Sequence, residues 1–239
     1  DTEAMNREVQ QMVREAIVCG SVEAVFKDND EEQIFSDDYL REVEETVKLP
    51  HTKFQILLQM LKRAIREYSR TNKVAAKRFD DMMEKVVEAY NTRDKLDFAT
   101  KVVGETIGSI QELIDNRVNE LSGQLADIFR QLQTDKGKFR DLGITFEEKA
   151  FYDILVEVRN AHGFEYPDDR CVELSKRINE LVAGTAVYAD WLNNGTLKRD
   201  LARDVSKLLY RSGYPPEWDE EVFKKVLEQV ENFKTYEGE

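Results

Sequence analysis

A heptad pattern of apolar residues from Phe54 to Val86 constrains the fold of this chain more than any other feature. Its spacings alternate strictly between four and three residues, which is typical of a helix that packs along a coiled-coil seam. The seam positions are Phe54, Leu58, Leu61, Ile65, Tyr68, Asn72, Ala75, Phe79, Met82 and Val86. Turn-forming residues are scarce, with 11 Gly and 4 Pro among 239 residues. The pattern therefore predicts an all-α protein.

A single helix over Phe54–Tyr90 would be about 55 Å long, at 1.5 Å of rise per residue. Its one polar seam position is Asn72. A buried asparagine can fix the register between packed helices at some cost in stability. Alternatively, the helix breaks near Ser69–Asn72, because Ser, Thr and Asn side chains compete for backbone hydrogen bonds. We expect the unbroken helix and keep the break as the alternative.

A second apolar stripe runs from Leu96 to Leu132, close to the helical period of 3.6 residues. The short polar stretch Asn91–Lys95 separates the two stripes, as in connections between neighbouring helices. Two helices of about 37 residues joined by a short turn are typical of an antiparallel pair. We therefore predict a long antiparallel helical hairpin.

Beyond the hairpin, Asp135–Gly143 contains glycines and is predicted to be a linker. Four short amphipathic stretches follow it, and residues at their ends have the character of helix caps. They predict a compact C-terminal helical bundle, because each apolar face must pack on another. The chain thus divides into N-terminal helices over residues 1–50, the hairpin over residues 51–138 and the bundle over residues 139–239.

Single residues predict where individual helices begin and end. Thr145 and Glu148 have the spacing of a capping box. The other predicted boundaries in the bundle are Gly163, Asp168, Gly184, Thr196, Gly213 and Asp219. Near the N-terminus, apolar periodicity predicts a helix over Asn6–Ile17, and Ser36 is the predicted N-cap of the next one.

The net charge of −13 argues against general affinity for nucleic acid, but the charge is unevenly spread. Residues 62–78 carry seven Lys or Arg and a single acid, whereas residues 1–48 carry 14 Asp or Glu and five Lys or Arg. Five cations of residues 62–78 would share about 80° of arc on a continuous helix. They are Arg63, Arg66, Arg70, Lys73 and Lys77. This basic stripe predicts binding of DNA phosphates or an acidic partner. Pairing with the acidic N-terminal segment and plain solvation are the alternatives.

A second basic column lies on a helix of the predicted bundle. Its members are Arg199, Arg203, Lys207 and Arg211. Asp200 and Asp204 lie beside it, so we expect ion pairs on a solvated helix face.

Residues with catalytic or metal-binding chemistry form no recognisable constellation. The histidines, His51 and His162, and the cysteines, Cys19 and Cys171, have no partners at metal-ligand spacing. No phosphate-binding loop occurs, and no carboxylate pair stands out as an acid–base couple. We expect no catalytic residue, metal or cofactor in this chain. The cysteine usage and the lack of a long apolar run or signal peptide predict a piece of a longer cytoplasmic protein without a membrane span.

Four stretches, spread over almost the whole chain and in a fixed order, resemble one known family. They are MNREVQQMVREAI (Met5–Ile17), YSRTNKVAAKRF (Tyr68–Phe79), LGITFEEKAFYDIL (Leu142–Leu155) and SGYPPEWDEEVFKKVLEQVENF (Ser212–Phe233). The family is the C-terminal part of the restriction (R, motor) subunit of type I restriction–modification enzymes. Residues 91–138 carry little resemblance beyond being helical.

The resemblance implies a fragment of a large multisubunit enzyme, a type I site-specific deoxyribonuclease. The full subunit of that family carries a nuclease domain and an ATP-driven translocase of double-stranded DNA, so ATP and Mg²⁺ are expected only for the full-length subunit. The motifs of those domains do not occur here, so no catalytic residue is carried over and this fragment is expected not to be an enzyme. The implied role is to dock the motor on the methyltransferase and specificity subunits, near double-stranded DNA.

Two other hypotheses follow from the residues themselves. The first is a coiled-coil adaptor unrelated to DNA, whose seam would recruit another helix. The second is an all-α enzyme that uses carboxylates, which two buried acids facing a cavity would support.

Overall fold

The computed structural model describes residues 37–93, 107–186 and 191–236, and these residues form helices and turns with no strand. The prediction of an all-α fold is confirmed. Three sequence-based predictions lie outside the described residues: the helix over Asn6–Ile17, the N-cap at Ser36 and the start of the second apolar stripe. No helix in the described ranges is both long enough and apolar enough to cross a membrane.

The described residues contain eight α-helices. They are α1 (Asp37–Thr46), α2 (Pro50–Thr71), α3 (Lys73–Asn91), α4 (Ile107–Asp141), α5 (Phe146–His162), α6 (Asp168–Ala186), α7 (Gly195–Arg211) and α8 (Asp219–Tyr236). Short 3-10 turns over Trp191–Asn193 and Pro216–Trp218 precede α7 and α8.

The chain reverses direction at Asn72, between α2 and α3. The rings of Phe54 and Tyr90 stack with their centroids 3.9 Å apart, and those of Tyr68 and Phe79 lie 6.4 Å apart. In a continuous helix, Phe54 and Tyr90 would be separated by about 54 Å, at 1.5 Å per residue. The predicted unbroken helix is therefore wrong, and the alternative of a break near Asn72 is confirmed.

Asn72 both ends α2 and begins α3. Its N–H donates to the Tyr68 carbonyl at 2.8 Å, while its Oδ1 accepts a hydrogen bond from the N–H of Ala75 at 3.0 Å, as an N-cap does. The side chain is 2% exposed, and its Nδ2 donates to Asp153 Oδ2 at 2.5 Å. The asparagine is thus the local signal for two helices, and the seam residues on either side of it pack against each other within the chain.

Two amide side chains of α8 complete this turn. Gln229 Oε1 accepts from the N–H of Lys73 at 2.9 Å, and its Nε2 donates to the carbonyl of Thr71 at 3.2 Å. Asn232 Nδ2 donates to two further carbonyls in the last turn of α2, at 2.7 and 3.0 Å. Helix ends leave these N–H and carbonyl groups without partners inside the helix. The side chains of α8 supply the hydrogen bonds that these backbone groups lack at the break between α2 and α3.

Helix α4 is the longest of the described helices and runs through Gly137 to Asp141. The linker predicted over Asp135–Gly143 is therefore wrong, because most of it continues this helix. A single glycine weakens a helix by only ~1 kcal/mol, which the packing of its neighbours can offset. The hairpin predicted between the two apolar stripes is also wrong in its first arm, since that arm folds back on itself.

The described residues fall into two compact units. The first contains residues 37–64, 82–93 and 107–130, and the second contains residues 65–81, 131–186 and 191–236. The sequence-based domain boundaries at residues 50 and 138 stay a prediction, since these units are groups of packed residues and not parts shown to fold alone.

The first unit is held together by apolar packing and by polar links between its helices. Val118, Leu121 and Leu125 of α4 are fully buried. Arg130 Nη2 of α4 lies 2.5 Å from Glu44 Oε2 of α1. The ion pair links α4 to α1 within the unit.

The second unit has a core built around α5, in which Phe151, Ile154 and Leu155 are buried. The Oη of Tyr214, just after α7, donates to the carbonyl of Leu155 at 2.9 Å. Trp191 and Cys171 are fully buried in the same core. The predicted compact C-terminal bundle is thereby confirmed for the described residues.

Most of the predicted helix ends in this unit are confirmed. The capping box of Thr145 and Glu148 forms, and Gly163 adopts a left-handed conformation with φ of 68° after α5. Two predictions are wrong. Helix α6 continues past Gly184 to Ala186, and the N-cap of α7 is Asn194 instead of Thr196, because the amide oxygen of Asn194 accepts from two N–H groups of the first turn.

Candidate functional site

The basic stripe does not form one column, because α2 and α3 run in opposite directions. Arg63 lies half-buried on α2 in the first unit. Arg66 and Arg70 lie on the last turns of α2 in the second unit, and Lys73 and Lys77 lie on the first turns of α3. The structure thus places four of the five predicted site residues near the turn at Asn72 and leaves Arg63 in the other unit.

Arg70 already has partners within the second unit. Its Nη1 is 3.5 Å from Glu67 Oε2, and its guanidinium carbon lies 5.4 Å from the centroid of the Tyr236 ring. Cation–π contacts of this kind contribute about 0.5–1 kcal/mol at exposed sites. The stacking fixes Arg70 against the C-terminal turn of α8.

The lysines of the stripe lie close to carboxylates that the sequence analysis did not pair with them. Lys73 Nζ is 3.9 Å from Glu228 Oε2 of α8. Lys77 Nζ is 2.6 Å from Asp81 Oδ1 and 3.8 Å from Asp80 Oδ2. Exposed ion pairs are weak and exchange readily with other anions. The binding role of the stripe therefore stays a prediction, although its single-column geometry is wrong.

The second basic column has the expected ion pairs. Arg203 Nη1 is 3.0 Å from Asp200 Oδ1, and Lys207 Nζ is 3.8 Å from Asp204 Oδ1. The prediction of a solvated, ion-paired helix face is confirmed for these residues of α7.

A buried charged network in the second unit was not predicted. Lys149 Nζ of α5 is 2.6 Å from Asp153 Oδ2 and 3.1 Å from Asp135 Oδ2 of α4. It also donates to Tyr68 Oη at 3.1 Å, and Tyr68 Oη donates to Asp135 Oδ2 at 2.8 Å. Lys149 is 2% exposed, so its charge is removed almost completely from water.

The charges around the network decide its protonation. Burial by itself would raise the pKa of Asp135, but Lys149, the Tyr68 hydrogen bond and Arg78, 3.1 Å from Asp135 Oδ1, together hold this pKa below its usual value. Burial raises the pKa of Asp153 in spite of the nearby Lys149. Burial, followed by the charge of Asp135, raises the pKa of Tyr68 far above its usual value. The phenol therefore stays protonated.

This network is suited to holding helices together and not to catalysis. The three donors of the Lys149 ammonium face Asp153, Asp135 and Tyr68, so no proton remains for a substrate. The two buried acids thus face a lysine instead of a cavity, and they give no support to an acid–base enzyme. Among the residues that the structure describes, no group of three or more His, Cys, Asp or Glu could hold a metal ion.

A signal for the network was present in the sequence. Lys149 and Asp153 are four residues apart, a spacing that brings side chains together on a helix. Every residue of α5 from Lys149 to Leu155 is buried, so both faces of this part of the helix are covered. An amphipathic helix would bury only its apolar residues, so the sequence analysis did not predict that Lys149 and Asp153 are buried.

An apolar groove with a volume of about 730 Å³ is a further surface of the second unit. Ligand pockets typically have volumes of about 300–1,000 Å³. Phe146, Phe233 and Tyr236 supply its aromatic lining. Phe146 is 45% exposed and Tyr236 is 36% exposed. Arg70, one of the predicted site residues, lines the same groove. Exposed aromatic side chains in a groove are typical of a surface that binds another protein.

Comparison with known proteins agrees with the resemblance drawn from the four stretches. The family model of the type I restriction enzyme HindI endonuclease subunit-like C-terminal region matches residues 1–236. A protein of Methanocaldococcus jannaschii, provisionally named as the endonuclease subunit of the type I restriction enzyme MjaIXP, is 25% identical over 214 residues. The match covers 87% of this chain and 18% of that protein.

The chain thus spans less than a fifth of the length of this curated relative. No solved structure matches it at a significant level. Because the family model covers nearly the full length, this chain belongs to the family of C-terminal regions of type I restriction enzyme endonuclease subunits.

Proposed function

We propose that this helical region docks the endonuclease subunit on the methyltransferase core of a type I restriction enzyme. The observation that carries the proposal is the family match over residues 1–236. The region corresponds to 18% of the related subunit, which leaves ample length for a nuclease and an ATP-driven translocase elsewhere. In this proposal, ATP and Mg²⁺ serve those other domains in the cytoplasm, and the present region contributes no catalytic group.

The proposed docking surface consists of the apolar groove and the cations beside the turn at Asn72. Phe146 and Phe233 provide apolar anchors, which dominate the energetics of most protein interfaces. Arg70 and Lys234 line the same groove, against a single acid, Glu147. This charge balance favours an acidic amphipathic segment of the methyltransferase core as the occupant.

The experiment that tests this surface reverses two charges in the full-length subunit. Arg66→Glu combined with Arg70→Glu is expected to weaken binding to the methyltransferase–specificity core at least tenfold, because attraction becomes repulsion. Phe146→Asp, which introduces a charge into the groove at an exposed position, is expected to have a similar effect. Binding is measured by titration of the core, followed by sedimentation.

Arg203→Glu with Lys207→Glu provides a matched control, since it changes the net charge equally on the ion-paired face of α7. Its effect on assembly is expected to stay within about threefold. If the Arg66 and Arg70 variant left both assembly and low-salt DNA binding unchanged, the assignment of the stripe would be wrong.

The coiled-coil adaptor loses its structural basis. Phe54, Tyr68 and Phe79 of the seam are at most 3% exposed, because they pack inside the chain. A seam that is already buried offers no face to recruit another helix.

A further inference from the structure

Three arginines line one concavity of about 380 Å³ on the second unit. Arg170 and Arg177 come from α6, and Arg211 is the last residue of α7. Within the part of the chain that the structure describes, none of their guanidinium groups forms a hydrogen bond or a salt bridge. By contrast, Arg159 in the same unit is 2.6 Å from Asp168. Like charges that share a concavity repel, so an anion bound among them would be stabilised.

Most of the remaining lining of this concavity is polar, and its one aliphatic side chain, Leu174, is only 1% exposed. Tyr166, Ser212 and Gly213 contribute to it, and Glu173 is its acid. Gly213 has a φ of 72°, and a Cβ built there would lie 3.8 Å from Arg170 Nη1. The glycine therefore leaves the backbone open beside the guanidinium. No exposed aromatic side chain lines this concavity, in contrast to the groove at Phe146.

We infer that this arginine concavity binds the phosphodiester backbone of a nucleic acid. The forked donors of arginine suit phosphate oxygens, and three such side chains line this concavity. A protein partner would need an apolar anchor, which this lining does not provide, whereas a nucleic-acid backbone needs none. The contact would be independent of base sequence, because phosphates carry no base identity.

The spacing of the arginines favours a polyanion over a single phosphate ion. Arg170 and Arg177 are seven residues apart on α6, which corresponds to about 10 Å along the helix axis. This distance is larger than one phosphate group, so the two arginines can contact different phosphates of the same strand. A neighbouring concavity of about 370 Å³ shares Arg177 and Arg211 and adds Lys207. The two concavities together form a cationic path longer than one phosphate.

The affinity is expected to be modest. The neighbouring concavity also contains Glu180 and Asp204, and the whole chain carries a net charge of −13. Dissociation constants of about 10⁻⁴–10⁻⁶ M at physiological salt, typical of non-specific binding, are therefore expected. The arginine concavity contains none of the residues of the proposed docking surface, so this inference does not depend on the docking role.

The test measures binding of this 239-residue chain to a fluorescent 20-base-pair DNA duplex by anisotropy, between 50 and 200 mM salt. The variant carries Arg170→Gln, Arg177→Gln and Arg211→Gln. At 50 mM salt its affinity is expected to fall about tenfold or more, and the slope of log K against log salt to become shallower by about 2.7, which is 0.9 for each lost phosphate contact.

The matched control carries Lys138→Gln, Arg199→Gln and Lys224→Gln, three exposed positions of the same unit that give the same change in net charge. Its slope is expected to change by less than about one. Circular dichroism checks that both variants keep their helices. Equal losses of DNA affinity in the two variants would overturn the inference, because the loss would then follow from the change in net charge and not from the arginine concavity.

Two further probes separate other ligands from a nucleic acid. Polyglutamate tests an acidic protein partner, and inorganic phosphate at matched ionic strength tests a single anion. The assignment would be overturned if the triple arginine variant lost binding to either probe but bound DNA as well as the unsubstituted chain. In the full-length subunit, the same variant is expected to assemble normally with the methyltransferase core. Assembly thus tests the docking proposal and DNA binding tests this inference, so either one can fail without the other.

Discussion

At the scale of single residues, Lys149 shows how a charge can be accommodated in the core of a helical protein. Its ammonium group is matched by Asp135 and Asp153, so burial does not leave an isolated ion. Breaking such a buried set is costly, because the remaining charge has no solvent to compensate it. The network therefore ties α4 and α5 together within the second unit.

Asp135→Asn is expected to destabilise the protein by about 1–3 kcal/mol at pH 7, since a charged partner of Lys149 is lost while Asp153 remains. The folded state holds the pKa of Asp135 below its usual value, so its ionised form contributes stability above about pH 4. That contribution is lost as the pH falls through the lowered pKa. The measurement is urea unfolding of both proteins from pH 7 down to pH 3.

The difference between Asp135→Asn and the unsubstituted protein should shrink towards pH 3. Asp127→Asn on the same helix is the control, because Asp127 forms only an exposed pair with Arg130. It is expected to change the stability by less than about 1 kcal/mol. A difference for Asp135→Asn that is independent of pH would show that the ionised carboxylate is not the stabilising species.

Residue-scale prediction succeeded for both ends of α5, where the signal was local. The capping box at Thr145 and the left-handed Gly163 depend on backbone groups within four residues, and such spacing can be seen in a sequence. The partners of Lys149 are different, because Tyr68 is 81 residues away along the chain. No local spacing encodes a contact of that range.

At the scale of elements, the reversal at Asn72 replaces one long helix with two antiparallel ones. A heptad pattern fixes which side of a helix is apolar, and it does not say what covers that side. Here α3 covers α2, so the same periodicity serves a partner from the same chain. Only Asn72 and its polar neighbours distinguish one continuous helix from two antiparallel helices. Their preference for helix caps favours the two antiparallel helices that the structure shows.

A distance between spin labels on α2 and α3 tests the reversal directly. Gln55→Cys and Glu88→Cys are exposed positions of the first unit, and Cys19→Ser removes one native thiol. Cys171 stays unlabelled, since burial raises the pKa of its thiol to about 11. Adjacent antiparallel helices have axes about 8–10 Å apart, so the label distance should be below about 25 Å.

A continuous helix would instead place these labels about 50 Å apart, at 1.5 Å per residue over 33 residues. A distance near that value would contradict the reversal. Labels at Gln55 and Gln59, both exposed on α2, provide a short intrahelical reference.

At the scale of the whole molecule, three helices contribute residues to both units. Helix α2 crosses the division after Ala64, α3 before Met82 and α4 after Arg130. Unfolding one unit would therefore remove packing from helices that the other unit also uses. We expect the two units to unfold together.

Two optical signals can check this cooperativity. Both tryptophans, Trp191 and Trp218, lie in the second unit, whereas far-UV circular dichroism reports helices throughout the chain. Urea transitions followed by the two signals are expected to coincide. Midpoints that differ beyond experimental error would show instead that the units unfold separately.

Function at this scale was predictable to the level of the family. Motifs such as YSRTNKVAAKRF (Tyr68–Phe79) carry that information, although the same stretch was misread as part of one helix. The groove beside Phe146 and the arginine concavity were not predictable, because each is assembled from more than one helix. Surface shape follows from packing, and packing was not visible in the periodicity of any single helix.

The hydrogen bonds from Gln229 and Asn232 to the turn at Asn72 also bear on how the protein is made. The backbone groups of residues 69–73 leave the ribosome about 156 residues before the side chains that satisfy them. At about 5–20 residues per second, this delay lasts roughly 8–30 s. During synthesis the turn therefore lacks these two partners and relies on Asn72 and on residues made earlier, such as Asp153. It reaches its final state only when α8 has emerged.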